Sequence, residues 1–160
     1  AIRVAASFDL KIEMLQPMYS LVKRQAEVEM LPMCRSENIA VVPYSPLGGG
    51  LLTGKYSQGG EGRLTHDAMY KSRYGQNWMH SAASALGDIA KELGISPIML
   101  AIAWVAHNPA ITAPILSASK CSQLQPSLDA MDYKLDAELY ARLTNLAPTP
   151  APTTDRSEEA

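Results

Sequence analysis

Val41-Val42-Pro43-Tyr44-Ser45-Pro46-Leu47-Gly48-Gly49-Gly50-Leu51-Leu52-Thr53-Gly54-Lys55-Tyr56 runs from a short apolar strand into a Ser- and Gly-rich loop that carries one cation. Residues 39–44 are β-branched and apolar, as in a strand buried on both faces, and Pro43 falls near the end, where a missing N–H matters least. Ser45-Pro46 begins the chain reversal. Three consecutive glycines let the backbone come close to a ligand and aim N–H groups at it, and Lys55 adds a point charge for an anion. The combination predicts a phosphate-handling loop at the end of a strand.

Outward from this loop, the pattern is that of a parallel sheet. Residues 12–15 predict a short strand that delivers Gln16 to its tip. Residues 26–38 predict a helix with Val28, Leu31 and Cys34 at helical spacing and Pro32 as its weak point, and 39–44 is the next strand. Residues 2–8 read as the end of a preceding helix. After the loop, residues 57–77 form a long polar excursion holding Arg63, Lys71 and Arg73, a type of segment that is usually functional or mobile. A helix over 81–93 stops at Gly94, and Ser96-Pro97 opens another that is apolar on more than one side. Residues 111–116 predict a third strand, and 121–131 and 136–146 two terminal helices, the second opened by Asp136. The reading is one α/β domain over 1–146, with a disordered Pro-, Thr- and acid-rich tail over 147–160.

Composition narrows the function. The 160 residues are 47% hydrophobic and 19% charged with net charge −2, enough apolar material for a core and no basic stripe for a nucleic acid. No apolar run approaches the ~18 residues of a membrane span, and a cytosolic address is expected. Cys34 and Cys121 read as buried free thiols, and His107 as a hydrogen-bonded core residue. His66 and His80 read as loop surface, and Trp78, Trp104 and the eight methionines as packing. No Ser/His/Asp grouping, carboxylate pair or zinc spacing stands out.

Residues 44–56 resemble the segment that ends the seventh strand of aldo-keto reductases. Leu15-Gln16-Pro17-Met18-Tyr19-Ser20-Leu21 through Glu29 is similar to that family's sixth strand and the start of its sixth helix. Residues 98–116 are similar to the helix leading into strand eight and to that strand, and Ser117-Ala118-Ser119-Lys120-Cys121-Ser122-Gln123-Leu124 to its adenosine-side cofactor loop. The likeness covers about residues 10–146 in order.

The resemblance implies the C-terminal half of a (β/α)8 TIM barrel, strands six to eight with their helices, since a whole barrel needs about 250 residues. It also implies NADP as cofactor, bound at the strand ends. Tyr44 would stack on the nicotinamide and Gln16 bond its carboxamide. Ser45, Pro46, Leu47, Gly49 and Lys55 would line the pyrophosphate, with Arg63 closing over it. Ser119 and Gln123 would hold the adenosine phosphate and ribose. Gln123 stands where the family often has Arg, which weakens the preference for a 2′-phosphate, with Lys120 as a substitute. Pro126 and Ser127 stand where Glu and Asn often meet adenine. The family's catalytic Asp, Tyr, Lys and His have no match in this sequence, so no catalytic residue is assigned. The implied function is the NADP(H)-binding portion of an oxidoreductase that reduces aldehydes or ketones. The alternative is a non-catalytic cofactor-binding or regulatory subunit. Open sheet edges favour self-association or a separate N-terminal half as partner.

Overall fold

The computed structural model describes residues 1–118 and 120–152. It is an α/β arrangement made mostly of helices. Helix α1 (Ile2–Ala6) precedes β1 (Met14–Leu15), and α2 (Met30–Ser36) leads to β2 (Ala40–Val41). The two strands pair in parallel, with Met14 opposite Ala40 and Leu15 opposite Val41, and an isolated parallel bridge joins Met18 to Tyr44 further on. Crossover through a helix is what parallel pairing requires.

Three sequence expectations change here. The helix expected over 26–38 is interrupted: a short 3₁₀ turn at Gln25–Glu27 comes first, and α2 starts late enough that Pro32 falls in its first turn. A proline N–H is not needed there, whereas deeper in a helix it would break the ladder. The excursion is folded: 3₁₀ turns at Gly48–Thr53 and Tyr56–Gln58 are followed by α3 (Arg63–His66) and α4 (Ala68–Tyr74), the latter capped by Asp67 Oδ1, which accepts from the N–H groups of Met69 and Tyr70 at 2.9 and 3.3 Å.

The third expected strand, 111–116, is extended but builds no ladder. The N–H groups of Thr112 and Ile115 donate to the carbonyls of Val41 and Pro43, each at 2.8 Å. The return bond comes from Val41 N–H to the Thr112 hydroxyl at 3.0 Å, a side chain standing in for a strand carbonyl, and Pro114 has no N–H to give.

Helices α5 (Asn77–Glu92) and α6 (Pro97–His107) meet at 104° across Gly94. Among the described residues no single helix is long and apolar enough to cross a membrane. Ser96 Oγ caps α6 from the Ile98 N–H at 3.2 Å, and residues 100–105 are wholly buried, so this helix is the centre of the core. Helix α7 (Cys121–Asp132) packs on α6, and α8 (Ala137–Thr144) is capped by Asp136.

Residues 147–152 lie against the 24–25 turn: Ala147 is buried, and the Ala151 carbonyl accepts from Gln25 Nε2 at 3.3 Å. Of the tail expected over 147–160, residues 153–160 fall outside the described residues. Cys34 is buried and its thiol is pushed up by burial, whereas Cys121 is exposed. His107 is also exposed, its ring 4.7 Å from that of Tyr140, because it ends α6 beyond the buried stretch.

Candidate functional site

The end of β2 is fixed by main-chain bonds on both sides of one residue. Tyr44 N–H donates to the Pro17 carbonyl at 3.0 Å, and the Tyr44 carbonyl accepts from Tyr19 N–H at 3.3 Å. The Tyr44 ring is left 37% exposed at that end. Gln16 is exposed on the adjoining segment, between Leu15, whose carbonyl accepts from Val42 N–H, and Pro17. Both therefore stand where a ligand could rest on the strand ends.

The chain reverses at Ser45, which holds φ +58°, an uncommon conformation for a side chain other than glycine and asparagine and one that clusters at functional sites. Its carbonyl accepts from Gly48 N–H and that of Leu47 from Gly50 N–H, each at 3.0 Å. Two of the three glycine donors thus close the turn itself. The steric role of the glycines is clearer: Gly49 has φ +65°, and a Cβ there would stand 2.8 Å from Tyr70 Cδ1. Pro46 is buried and Leu47 half-buried beneath the turn.

Four cations surround this turn. Lys55 Nζ lies 4.8 Å from the Tyr56 ring centroid and against Gly62, where a Cβ would overlap it. The guanidinium carbons of Arg63 and Arg73 lie 5.5 and 5.6 Å from the Tyr70 centroid, and Lys23 Nζ 5.8 Å from that of Tyr74. Tyr70 and Tyr74 stack at 6.3 Å. Among the described residues none of the four makes an ion pair; the carboxylates that do are Glu27 with Arg24, Glu61 with His66 and Glu92 with Arg142. Burial and then the charge of Arg73 push the Lys23 ammonium below its ordinary value. Burial holds the Tyr74 hydroxyl above the usual phenol value, and it donates to Met18 Sδ at 3.7 Å.

A second polar cluster holds the base of the site. Glu27 takes Arg24 in a two-point bond at 2.9 and 3.0 Å and accepts from the Tyr19 hydroxyl at 2.7 Å, and that hydroxyl accepts from Asn108 Nδ2 at 3.0 Å. Arg24 Nη1 also donates to the carbonyls of Thr144 and Ala147, tying the turn after β1 to α8. Burial, helped by Glu27, holds the Tyr19 phenol neutral far above its ordinary range.

The structure brings Tyr44, Ser45, Pro46, Leu47, Gly49, Lys55 and Arg63 around one turn, with Gln16 beside Tyr44. Gln123 is exposed on the first turn of α7 with Lys120 just before it, after the extended third segment that lies beside Val41 and Pro43. Pro126 sits inside α7 and Ser127 is buried there. Ser119 lies outside the described residues. Sequence reasoning missed Lys23, Tyr70, Arg73 and Tyr74 as parts of the site. The available signal was two tyrosines four apart, one helical turn, amid three cations.

A parallel strand pair ends in a left-handed glycine turn, beside cations that meet no carboxylate among the described residues. The chain belongs to the aldo/keto reductase family, whose model matches residues 2–148. Members of this family are (β/α)8 barrels that in general bind a nicotinamide dinucleotide. Similar proteins include the uncharacterized oxidoreductase YrpG of Bacillus subtilis strain 168, 37% identical over 138 residues, covering 84% of this chain and 40% of that protein. A probable voltage-gated potassium channel subunit beta of Arabidopsis thaliana is 36% identical over 123 residues, covering 73% of the chain and 38% of that protein. Protein tas of Escherichia coli K12 is 29% identical over 145 residues, 89% of the chain and 42% of its own length. The chain thus spans about two fifths of the length of these relatives.

Proposed function

We propose that this chain is the C-terminal half of an aldo-keto reductase barrel, strands six to eight, and that it binds NADP(H) for the reduction of aldehydes or ketones. The observation that carries this reading is Lys55, a cation without an acidic partner among the described residues, held beside the glycine turn at the end of a strand that exposes Tyr44. The residues fit the group: an unpaired cation and a turn without Cβ atoms suit a pyrophosphate, and a half-exposed aromatic suits a flat ring. The dinucleotide, when bound, supplies the hydride. Lys55 and Arg63 hold its phosphates, Tyr44 and Gln16 orient its nicotinamide end, and Ser119 and Gln123 serve the adenosine end. The proton donor is not among the residues matched here.

A relative described as a potassium channel subunit beta supports one second reading: a cofactor-binding or regulatory subunit of the same descent. In either case the open edges call for cover. The segment leading into β1 leaves Val4, Phe8, Leu10 and Met14 exposed, and Ile115, Leu128 and Met131 are exposed toward the other end of the chain. A second copy or a separate N-terminal half would bury such surface, and sedimentation at micromolar concentration should show association. A stable monomer that binds no dye for exposed apolar surface overturns this part.

The test of cofactor binding is a dinucleotide titration of the parent and Lys55→Ala chains. Loss of one charge-assisted phosphate contact, about 1.5–3 kcal/mol, should weaken binding about ten- to hundredfold. Equal affinities would remove Lys55 from the site.

A further inference from the structure

Leu10-Lys11-Ile12-Glu13-Met14, which runs into β1, alternates apolar residues with two opposite charges, a pattern that cofactor binding does not use. The carbonyls of Glu13 and Leu15 accept from the N–H groups of Ala40 and Val42 at 2.9 and 3.0 Å, so residues 13 and 15 turn their main chain to β2. In a strand the residue between them points the other way, and the Met14 N–H and C=O therefore face the open edge. Continued back along an extended chain, Ile12 and Leu10 share that direction. The Leu10 N–H is already spent on the Ala5 carbonyl at 3.0 Å, which leaves its own carbonyl for a partner.

The side chains of this edge lack cover. Leu10 and Met14 are 65% and 60% exposed, and Ile12 is half-buried against the core. Lys11 and Glu13 are exposed, and neither joins an ion pair among the described residues. An edge with free main-chain groups and an apolar flank is a template for another strand. The charges say which strand fits. Run antiparallel to a second copy of itself about Ile12, the segment sets Leu10 against Met14 and Lys11 against Glu13 of the second copy, and the reverse. The residues with outward main-chain groups then fall at hydrogen-bonded pairs. Lys11 and Glu13 fall at the non-hydrogen-bonded pairs, where facing side chains come closest. Sliding one copy by two residues sets Lys11 against Lys11 or Glu13 against Glu13, so the charges also fix the register.

We propose that two copies of this chain pair along the outer edge of β1, antiparallel about Ile12, with reciprocal Lys11–Glu13 bridges across the pairing. The strand lengthens back to Leu10 as it pairs, and four main-chain bonds form: two between the Ile12 residues and one from each Met14 N–H to the Leu10 carbonyl of the other copy. The proposal rests on the half-barrel reading, which leaves this edge open, and not on cofactor binding.

Charge exchange on the whole 160-residue chain tests the pairing, with sedimentation equilibrium as the readout. The parent should dimerise at micromolar concentration and above. Lys11→Glu and Glu13→Lys should each weaken the dimer about tenfold or more, since two symmetric pairs turn from attraction to repulsion. Mixed in equal amounts, the two variants should associate as tightly as the parent, because every facing pair is again opposite in charge, and the double variant Lys11→Glu/Glu13→Lys should recover the parent dimer. Both positions are exposed, so the fold tolerates the changes, and equal Tm values check it. In the parent, amide exchange at Met14 should slow as concentration rises, a readout that needs no substitution. A chain that stays monomeric, a dimer indifferent to the single substitutions, or a mixture no tighter than its components each overturns the proposal. A dimer that ignores the charges overturns this pairing but leaves the half-barrel reading standing, and one that obeys them stands whether or not the dinucleotide binds.

Discussion

Gly62→Ala should separate the placement of Lys55 from its presence. Gly62 has φ 163° and ψ −155°, extended backbone that alanine adopts without strain, so the substitution acts through its methyl group alone. That methyl would overlap Lys55 Nζ, approach Lys55 Cε to 3.1 Å and stand 2.8 Å from Tyr56 Oη. All three atoms are side-chain ends that can give way. Turning Lys55 out costs about 0.5–1.5 kcal/mol if it is forced off a rotamer, and the lost contact with Tyr56 about 0.5–1 kcal/mol. The Tyr56 hydroxyl accepts from Leu64 N–H at 3.2 Å, so its shift weakens a bond worth about 0.5–1.5 kcal/mol. Alanine returns about 0.4–1 kcal/mol by restricting the unfolded chain.

The net loss is about 1–2 kcal/mol, a fall in Tm of about 2–8 °C for a chain of this size. Binding should suffer more. An ammonium pushed off its position loses most of a charge-assisted phosphate contact, so the dinucleotide Kd should rise about tenfold or more. Thermal unfolding and a dinucleotide titration on the same preparation, with Lys55→Ala beside it, measure both. A Gly62→Ala chain that is as stable as expected and binds the dinucleotide as tightly as the parent would refute the argument that the Lys55 head meets the ligand.

Glu27→Ala should cost about 2–4 kcal/mol in urea unfolding, because it leaves the Arg24 guanidinium and the buried Tyr19 hydroxyl without their shared acceptor. Glu27→Gln, which keeps an acceptor for Tyr19, should cost less, and equal losses would show that the carboxylate geometry is irrelevant. Alkaline pH should destabilise the fold: burial raises the Tyr19, Tyr74 and Tyr140 phenols above the ordinary value of 10.0, so their contribution is complete below that pH. It is lost as pH rises through the folded values, since the unfolded chain releases protons first. Urea midpoints that stay level from neutral pH to well above pH 10 would contradict this.

The elements read correctly from sequence are those set by neighbours along the chain. Ser96-Pro97 opens α6 and Asp136 opens α8, each through a side-chain oxygen bonded to an N–H two or three residues on. The reversal at Ser45-Pro46 is local in the same way, closed by main-chain bonds from Gly48 to Ser45 and from Gly50 to Leu47. What was not legible depends on partners far away. Whether 111–116 pairs as a strand turns on the Thr112 hydroxyl meeting Val41, 71 positions back, and the expectation of a third strand from its apolar content could not register that exchange. Likewise Lys23 gives no sign in its own segment of lying over Tyr74. Burial of His107 is expected from its apolar helix and that of Cys121 from the habit of free thiols, yet each stands at a helix end, where the buried face no longer covers it.

The glycine turn couples these distant parts more than its donors do. Because Gly49 has no Cβ, Tyr70 fits against the turn, and because Gly48 has none, Tyr74 and Val22 approach it as well, at 3.5 and 3.1 Å from where that atom would be. Helix α4 is thereby seated against the ends of both strands, with Tyr74 reaching the glycine turn after β2 and Met18 after β1. Arg63 and Arg73 follow, since each rests on Tyr70. The run of glycines, first read as a cradle of N–H groups, works here as a gap that lets an aromatic pair carry cations to the strand ends. That explains why a loop so rich in glycine sits beside an excursion so rich in tyrosine and arginine, and why the two pack together although separate runs of sequence encode them.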